Sequence, residues 1–210
     1  VLQDIATSPE HEVRRYTLNQ FISGTRESWL PGELFRQAAG HGIDNLELSV
    51  LGVDITRNFE HATIAAAKRV GDTYQTELVA SLVNPTEDQL VELITTICQK
   101  HPISAVALDD RGMHSIHRKL KERSIPVWNL WNKEINTACM TVYAMFANGR
   151  VQHANDPLLI VQNGRAVAKY VGEYWQVSRK DSIGDIDALL ATIWALYVAS
   201  AQTMSGGGVY

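Results

Sequence analysis

At 210 residues, 45% hydrophobic and 20% charged, the chain is large enough for one globular domain with a sizeable core and too short for two full ones. Its formal net charge of −4 argues against wholesale wrapping of nucleic acid and leaves room for a local basic patch only. No apolar run is long enough to span a membrane and no signal peptide is expected ahead of the fold; a start at Val1 rather than Met is expected of a segment of something longer. Two cysteines, Cys98 and Cys139, sit inside apolar helical patterns and read as buried free thiols of a reducing compartment.

Residues 1–46 have a texture of their own. Glu10 to Ile22 reads as a helix opened by Ser8-Pro9, and Trp29-Leu30-Pro31 introduces a shorter one, Glu33 to Ala39, stopped by Gly40-His41-Gly42. This stretch is expected to be a helical lead-in or linker rather than part of the core. The run Glu47 to Lys68 organises the rest of the chain. An apolar strand (Leu48, Val50, Leu51, Val53) ends on Asp54, a polar turn comes next, and a second apolar run, Ala62 to Ala67, closes a β-hairpin. Aspartate is depleted in strands and costly to bury unpaired. Either Asp54 only starts a turn by accepting a backbone N–H, or it belongs to a group of acids at strand ends.

A third strand, Tyr74 to Val83, comes after the turn at Gly71-Asp72, and Asn84-Pro85 ends it. Thr86 with Gln89 has the form of a capping box, and Leu90, Ile94, Ile97 and Cys98 make a stripe at helical spacing. Ile103 to Leu108 reads as a strand buried on both faces that stops on Asp109-Asp110. The next helix has Met113, Ile116 and Leu120 inward and Arg118, Lys119 and Lys121 as a solvated face, and a strand over Ile125 to Leu130 succeeds it. Strand, helix and strand with short links imply parallel pairing by a right-handed crossover. Glu134 to Asn148 is helical. Asp156-Pro157 opens a segment to about Ala168, Tyr170 to Val177 is extended, and an apolar helix runs from Asp185 to about Ser200.

A three-strand antiparallel meander, then helix, strand, helix, strand and further helices, is the order of an RNase H-like fold: a mixed α/β sheet flanked by helices. Its first and fourth strands are neighbours, so Asp54 and Asp109 end side by side, and the first turn of the last helix brings Asp185 or Asp187 to them. Carboxylates gathered without compensating bases repel one another and shift their pKa values upward. Divalent cations relieve that repulsion, and hard oxygen ligands suit Mg²⁺ or Mn²⁺. A pair of such ions serves phosphodiester hydrolysis.

Three segments also resemble the large terminase subunit of tailed phages: Leu51 to Ala66 (LGVDITRNFEHATIAA), Val106 to Gly112 (VALDDRG) and Gly149 to Leu196. Trp29 to Gln37 (WLPGELFRQ) is similar to the segment joining that family's ATPase to its nuclease. With no G-x-x-x-x-G-K-[ST] loop present, the resemblance implies the nuclease part alone: residues 1–46 leading in from an ATPase, 47–204 the nuclease, 205–210 a mobile tail. It implies a metal-dependent endonuclease acting on double-stranded DNA in the host cytoplasm, with a portal protein and a small terminase subunit as partners. No base-reading motif is visible, so little sequence preference is expected. The alternatives are another RNase H-like nuclease (a junction resolvase or transposase core) and a non-catalytic DNA or portal docking module.

Carried over by position, Asp54 matches the first-strand metal ligand and Asp109 the ligand ending the fourth strand, although Asp110 stands where relatives often carry proline. Relatives place the third acid at either Asp185 or Asp187. The helical wheel does not choose between them. Capping favours Asp187 as ligand, with Asp185 after Gly184 as the helix N-cap and second choice. Under this reading Asp54→Asn abolishes cleavage and relief of repulsion raises the melting temperature. Arg179 and Lys180 are candidates for contact with the phosphates of a scissile strand, or are simply a solvated loop. His153 and Asn163 fall on recurrent family positions but read as loop hydrogen-bonders, and His61 either faces the site or fills the hairpin. His114 and His117 share a helical face without the further ligands that zinc needs.

Overall fold

The computed structural model describes residues 28–109, 111–172 and 174–205. The expected helix from Glu10 to Ile22, residue Asp110 and the tail residues 206–210 lie outside them. In chain order the elements are α1 (Gly32–Gln37), β1 (Val50–Ile55), β2 (His61–Val70), β3 (Thr73–Val83), α2 (Glu87–Lys100), β4 (Ala105–Asp109) and α3 (His114–Glu122). They continue with β5 (Val127–Leu130), α4 (Asn132–Ala147), β6 (Val151–His153), α5 (Pro157–Arg165), β7 (Ala168–Val171), β8 (Tyr174–Val177) and α6 (Asp187–Ser205).

Six strands form one mixed sheet in the order β5-β4-β1-β2-β3-β6. The meander β1-β2-β3 is antiparallel, and β4 pairs parallel to β1, as the element order implies. The capping box at the start of α2 is present: Gln89 N donates to Thr86 Oγ1 at 3.2 Å and Thr86 N donates to Gln89 Oε1 at 2.9 Å. Val-Gln-His at β6, parallel to β3, is too short to carry a periodic signal and adds an edge strand that the sequence does not announce. Tyr170 to Val177 is not one extended segment. It holds the end of β7 and all of β8, which pair antiparallel as a small hairpin outside the main sheet, Ala168 opposite Val177 and Tyr170 opposite Trp175.

The alternation along β1 decides what faces what. Leu51, Val53 and Ile55 pack with α2 and α3 on one face of the sheet. Val50, Gly52 and Asp54 therefore turn to the other, where α4 and α6 lie. Gly52 is the point of closest approach. A Cβ built there meets Ala191 O at 1.9 Å and Ala195 N at 2.6 Å, so the backbone of α6 rests directly on β1. Leu48, expected in this strand, precedes it instead with φ 59° and is 71% exposed.

Residues 28–39 do not stand off the domain as a linker. Trp29, Leu30, Phe35 and Ala38 are buried in the same core as α4 and α6. Backbone and side chains fasten them: Trp29 N donates to Ala166 O at 2.8 Å, and Asn163 Nδ2 to Leu30 O at 3.3 Å. His153 is fully buried, accepts from Asn155 N at Nδ1 (3.1 Å), and so donates from Nε2 to Phe35 O at 2.8 Å. His153 and Asn163 thus fasten the lead-in segment to the domain. Burial holds the His153 pKa below the ordinary imidazole value, outweighing its bond to Phe35 O.

Candidate active site

The register that pairs Val53 with Leu108 continues to set Asp54 beside Asp109 at the C-terminal ends of two parallel strands. Asp54 is 0% exposed and Asp109 2%. Across the hairpin, Asp54 pairs with Thr63, whose hydroxyl donates to Asp187 Oδ2 at 2.5 Å. Asp187, the first residue of α6, is 1% exposed and faces the same end of the sheet. Asp54, Asp109 and Asp187 thus come from distant parts of the chain to one region. Asp185 does not join them: its side chain is 41% exposed and sits 3.6 Å from His61 Nε2 on the rim.

The reason that sequence reasoning gave for preferring Asp187 is overturned. Asp185 does not cap α6, which begins two residues later. The first amides of the helix go instead to a side chain from α5: Ala188 N and Leu189 N donate to Gln162 Oε1 at 2.7 and 3.2 Å. The same amide donates from Nε2 to Asp187 Oδ1 at 2.9 Å. Gly184, at φ +87°, makes the preceding turn that a side chain would strain.

The expectation of uncompensated acids also needs correction. Arg179 forks onto both oxygens of Asp54 and lies 3.7 Å from Asp109. Arg111 grips Asp109 through Nε and Nη2, each at 3.1 Å, and through its backbone N at 3.0 Å. Arg179 is set at the exit of β8 by a turn in which Ser182 N donates to Ser178 O at 3.1 Å and Ser178 Oγ to Asp181 Oδ2 at 2.7 Å. Burial works against the Arg179 charge, but Asp54, then Asp109 and Asp187, pull its pKa further up than an ordinary guanidinium.

Asp54 remains poorly served all the same. Burial pushes its pKa up to about 6 against the pull of Arg179, with Asp109 adding to the rise and a bond from Trp194 Nε1 at 3.3 Å opposing it. The folded chain therefore takes up this proton at a higher pH than the unfolded chain, whose ordinary value is about 3.9. Stability from this group rises as pH falls from about 6 toward 4 and is lost as pH rises through 6. Buried neutral His153 acts in the opposite direction, because acid charges it more readily in the unfolded chain. Thermal melts in chelator at pH 7 and pH 5 separate the two. On going from pH 7 to pH 5, Asp54→Asn lacks the stabilising contribution that protonation of Asp54 makes in the wild-type chain. Its melting temperature therefore changes less favourably than that of wild type, whereas a His153 effect is common to both.

Among the described residues, no three His, Cys, Asp or Glu side chains stand arranged to hold a metal ion, and guanidinium groups meet the oxygens of Asp54 and Asp109. The donor chemistry nevertheless fits a hard divalent ion: buried carboxylates only, one of them under-compensated by its arginine. The site opens into a cleft lined by Arg57, Arg111, Lys169, Arg179 and Lys180. Asp109 is the single acid among the described residues lining it. Of these cations only Arg179 and Lys180 stand out in the sequence. Arg57, Arg111 and Lys169 lie inside the resembling segments but do not stand out there, and only folding collects them at one cleft. Lys119, expected on a solvated face, binds Asp88 at 2.7 Å and Glu87 at 3.1 Å, tying α3 to α2.

The site thus joins an RNase H-like mixed sheet, buried carboxylates at its strand ends and a neighbouring cationic cleft. Solved structures agree on the fold. The large terminase of HK97 bacteriophage superposes with a TM-score of 0.70 at 15% identity over 90% of this chain and 47% of its own, so the chain spans about half of that protein. The large terminase nuclease of thermophilic phage G20c with bound magnesium gives 0.63 at 13% identity, covering 83% of this chain and 98% of its own. The Thermus phage P74-26 large terminase nuclease domain gives 0.61 at 13%, covering 80% and 94%. The G20c nuclease has also been solved with cobalt and with zinc. No family model and no curated protein sequence matches the chain. The chain has the fold of the nuclease domains of phage large terminases.

Proposed function

We propose that this chain is a divalent-metal-dependent endonuclease domain of a phage DNA-packaging motor, cutting double-stranded DNA with little sequence preference. The observation that carries the reading is the convergence of buried Asp54, Asp109 and Asp187 at one end of the sheet in this particular fold, with Asp109 opening into a cation-lined cleft. Asp54, Asp109 and Asp187 are the residues that hold Mg²⁺ or Mn²⁺, with Asp185 on the rim as second choice. Divalent ions held there, two in the usual scheme for such cuts, would supply activation of a water and stabilisation of the leaving oxygen.

The chain's own residues do the rest. The guanidinium of Arg179 bridges Asp54 and Asp109, where it neutralises the acids that would otherwise repel each other. When it swings toward the cleft it joins Lys180, Arg57 and Lys169 as a phosphate contact and the Asp54 carboxylate becomes available, while Asp109 is released only when Arg111 turns away as well. Contacts of this kind read the backbone and not the bases, so specificity is left to partners. As in the terminases, residues 1–46 lead in from an ATPase domain, the small subunit and portal protein are the partners, and the motor works in the host cytoplasm. No helix among the described residues is long and apolar enough to cross a membrane.

Nicking of supercoiled plasmid by the purified chain in Mn²⁺ tests the reading. Conversion to open circles that stops in chelator supports it. Much faster cutting of branched junctions than of linear duplex transfers the chain to the resolvase class. No cutting at high protein concentration, with DNA still bound, makes it a docking module. Within the same assay Asp187→Asn is expected to lose activity, and Asp185→Asn to retain most of it, because Asp185 meets only His61 on the rim. The reverse pattern transfers the role to Asp185.

A further inference from the structure

We infer that Gln162 is a positioning residue: it fixes the carboxylate of Asp187 and the start of α6 with a single amide, so that the third acid points at the other two. The inference rests on the metal-site reading above. Gln162 is 2% exposed, sits on α5 and is 25 positions from Asp187 in the chain. Its amide can face only one way. The carbonyl oxygen accepts Ala188 N and Leu189 N, while the NH₂ donates to Asp187 Oδ1; a flipped amide sets donor against donors and acceptor against carboxylate.

With Thr63 Oγ1 on Oδ2, each oxygen of Asp187 accepts one bond from a neutral group. This separates Asp187 from its partners. Asp54 and Asp109 are each met by a guanidinium, whereas the donors on Asp187 orient it without cancelling its charge. Oriented by neutral donors, a carboxylate keeps its full attraction for a cation, and groups behind a ligand in this way set metal affinity. Gln162 also does what the sequence assigns to Asp185: it satisfies the amides that open α6. The end of the helix and the direction of its first side chain are thereby held by one residue.

Gln162→Met keeps length and packing and removes both functions. Calorimetric titration with Mn²⁺, well below the melting temperature, is expected to give a Kd about tenfold weaker than wild type. The melting temperature in chelator falls as well, through loss of the cap. A lower melting temperature with the Mn²⁺ Kd within about twofold of wild type leaves Gln162 a helix cap only and overturns the inference. If Gln162→Met does not fold, Thr63→Val and Thr63→Ser decide. Thr63 caps nothing on α6, so weaker Mn²⁺ binding with Val and retention with Ser support the positioning of Asp187 by neutral donors, and equal affinities overturn it. A wild-type chain that neither binds Mn²⁺ nor nicks plasmid overturns the nuclease reading together with this inference. A wild type that does both, beside an unaltered Gln162→Met, overturns the inference alone.

Discussion

Asp54→Asn is expected to abolish nicking while the fold persists. The substitution removes one negative oxygen from the most deeply buried of the three acids and leaves shape and packing alone. If the site supplies about 4 kcal/mol of charge stabilisation through that carboxylate, the rate falls about a thousandfold, at 1.36 kcal/mol per tenfold. The effect on stability is not the rise that a cluster of uncompensated acids implies. Loss of the desolvated charge favours the variant, but Arg179 loses its main partner, and these terms oppose each other. A small shift in melting temperature with near-complete loss of nicking, measured by plasmid gel and thermal melt, is the expected pair of results. Retention of near-normal nicking removes Asp54 from the mechanism.

Gly52→Ala is expected to be the most damaging single methyl group in the chain. The added carbon lands 1.9 Å from Ala191 O and 2.6 Å from Ala195 N, both backbone atoms of α6 that no rotamer change can move. The helix must lift from β1, and Leu190, Ile193 and Trp194 lose packing with it. Overpacking of a closed core costs about 3 kcal/mol in cases of this severity, or roughly 10 °C in melting temperature for a domain of this size. Function suffers with stability, because α6 carries Asp187, and Trp194 on the same helix donates to Asp54. A control at Gly164, where an added Cβ meets nothing within 4 Å, is expected to melt close to wild type apart from helix propensity. Differential scanning fluorimetry compares the two directly.

The range of each interaction decides whether the sequence discloses it. The capping box at Thr86 and Gln89 spans three residues and is readable as a word. The alternation of β1 and the apolar stripe of α2 repeat with fixed periods, so they too are legible, and the order of elements then fixes the neighbours of each strand. Asp54 stands out because it interrupts an apolar strand, and Asp109 because it ends one. The compensation of those acids cannot be read in this way. Arg179 lies 125 positions from Asp54, and nothing local marks it as its partner rather than as a loop cation. The capping of α6 misleads for the same reason: Asp185 has the right residue type in nearly the right place, but Gln162 reaches the amides from another helix. Trp29 and Leu30 look like a linker because they lie among breakers, Pro31 and Gly32, while their burial depends on Ala166 and Asn163 far down the chain.

The central claim is that Asp54, Asp109 and Asp187 form one metal site, from which Arg179 withdraws when the site is loaded. A crystal of the chain soaked in Mn²⁺ tests it most directly, because anomalous scattering locates the ion without reference to any assumed ligand. The account predicts density at coordinating distance, about 2.0–2.2 Å, from oxygens of these aspartates, with the Arg179 guanidinium turned into the cleft. Anomalous density confined to other residues, with Arg179 still forked on Asp54, contradicts it.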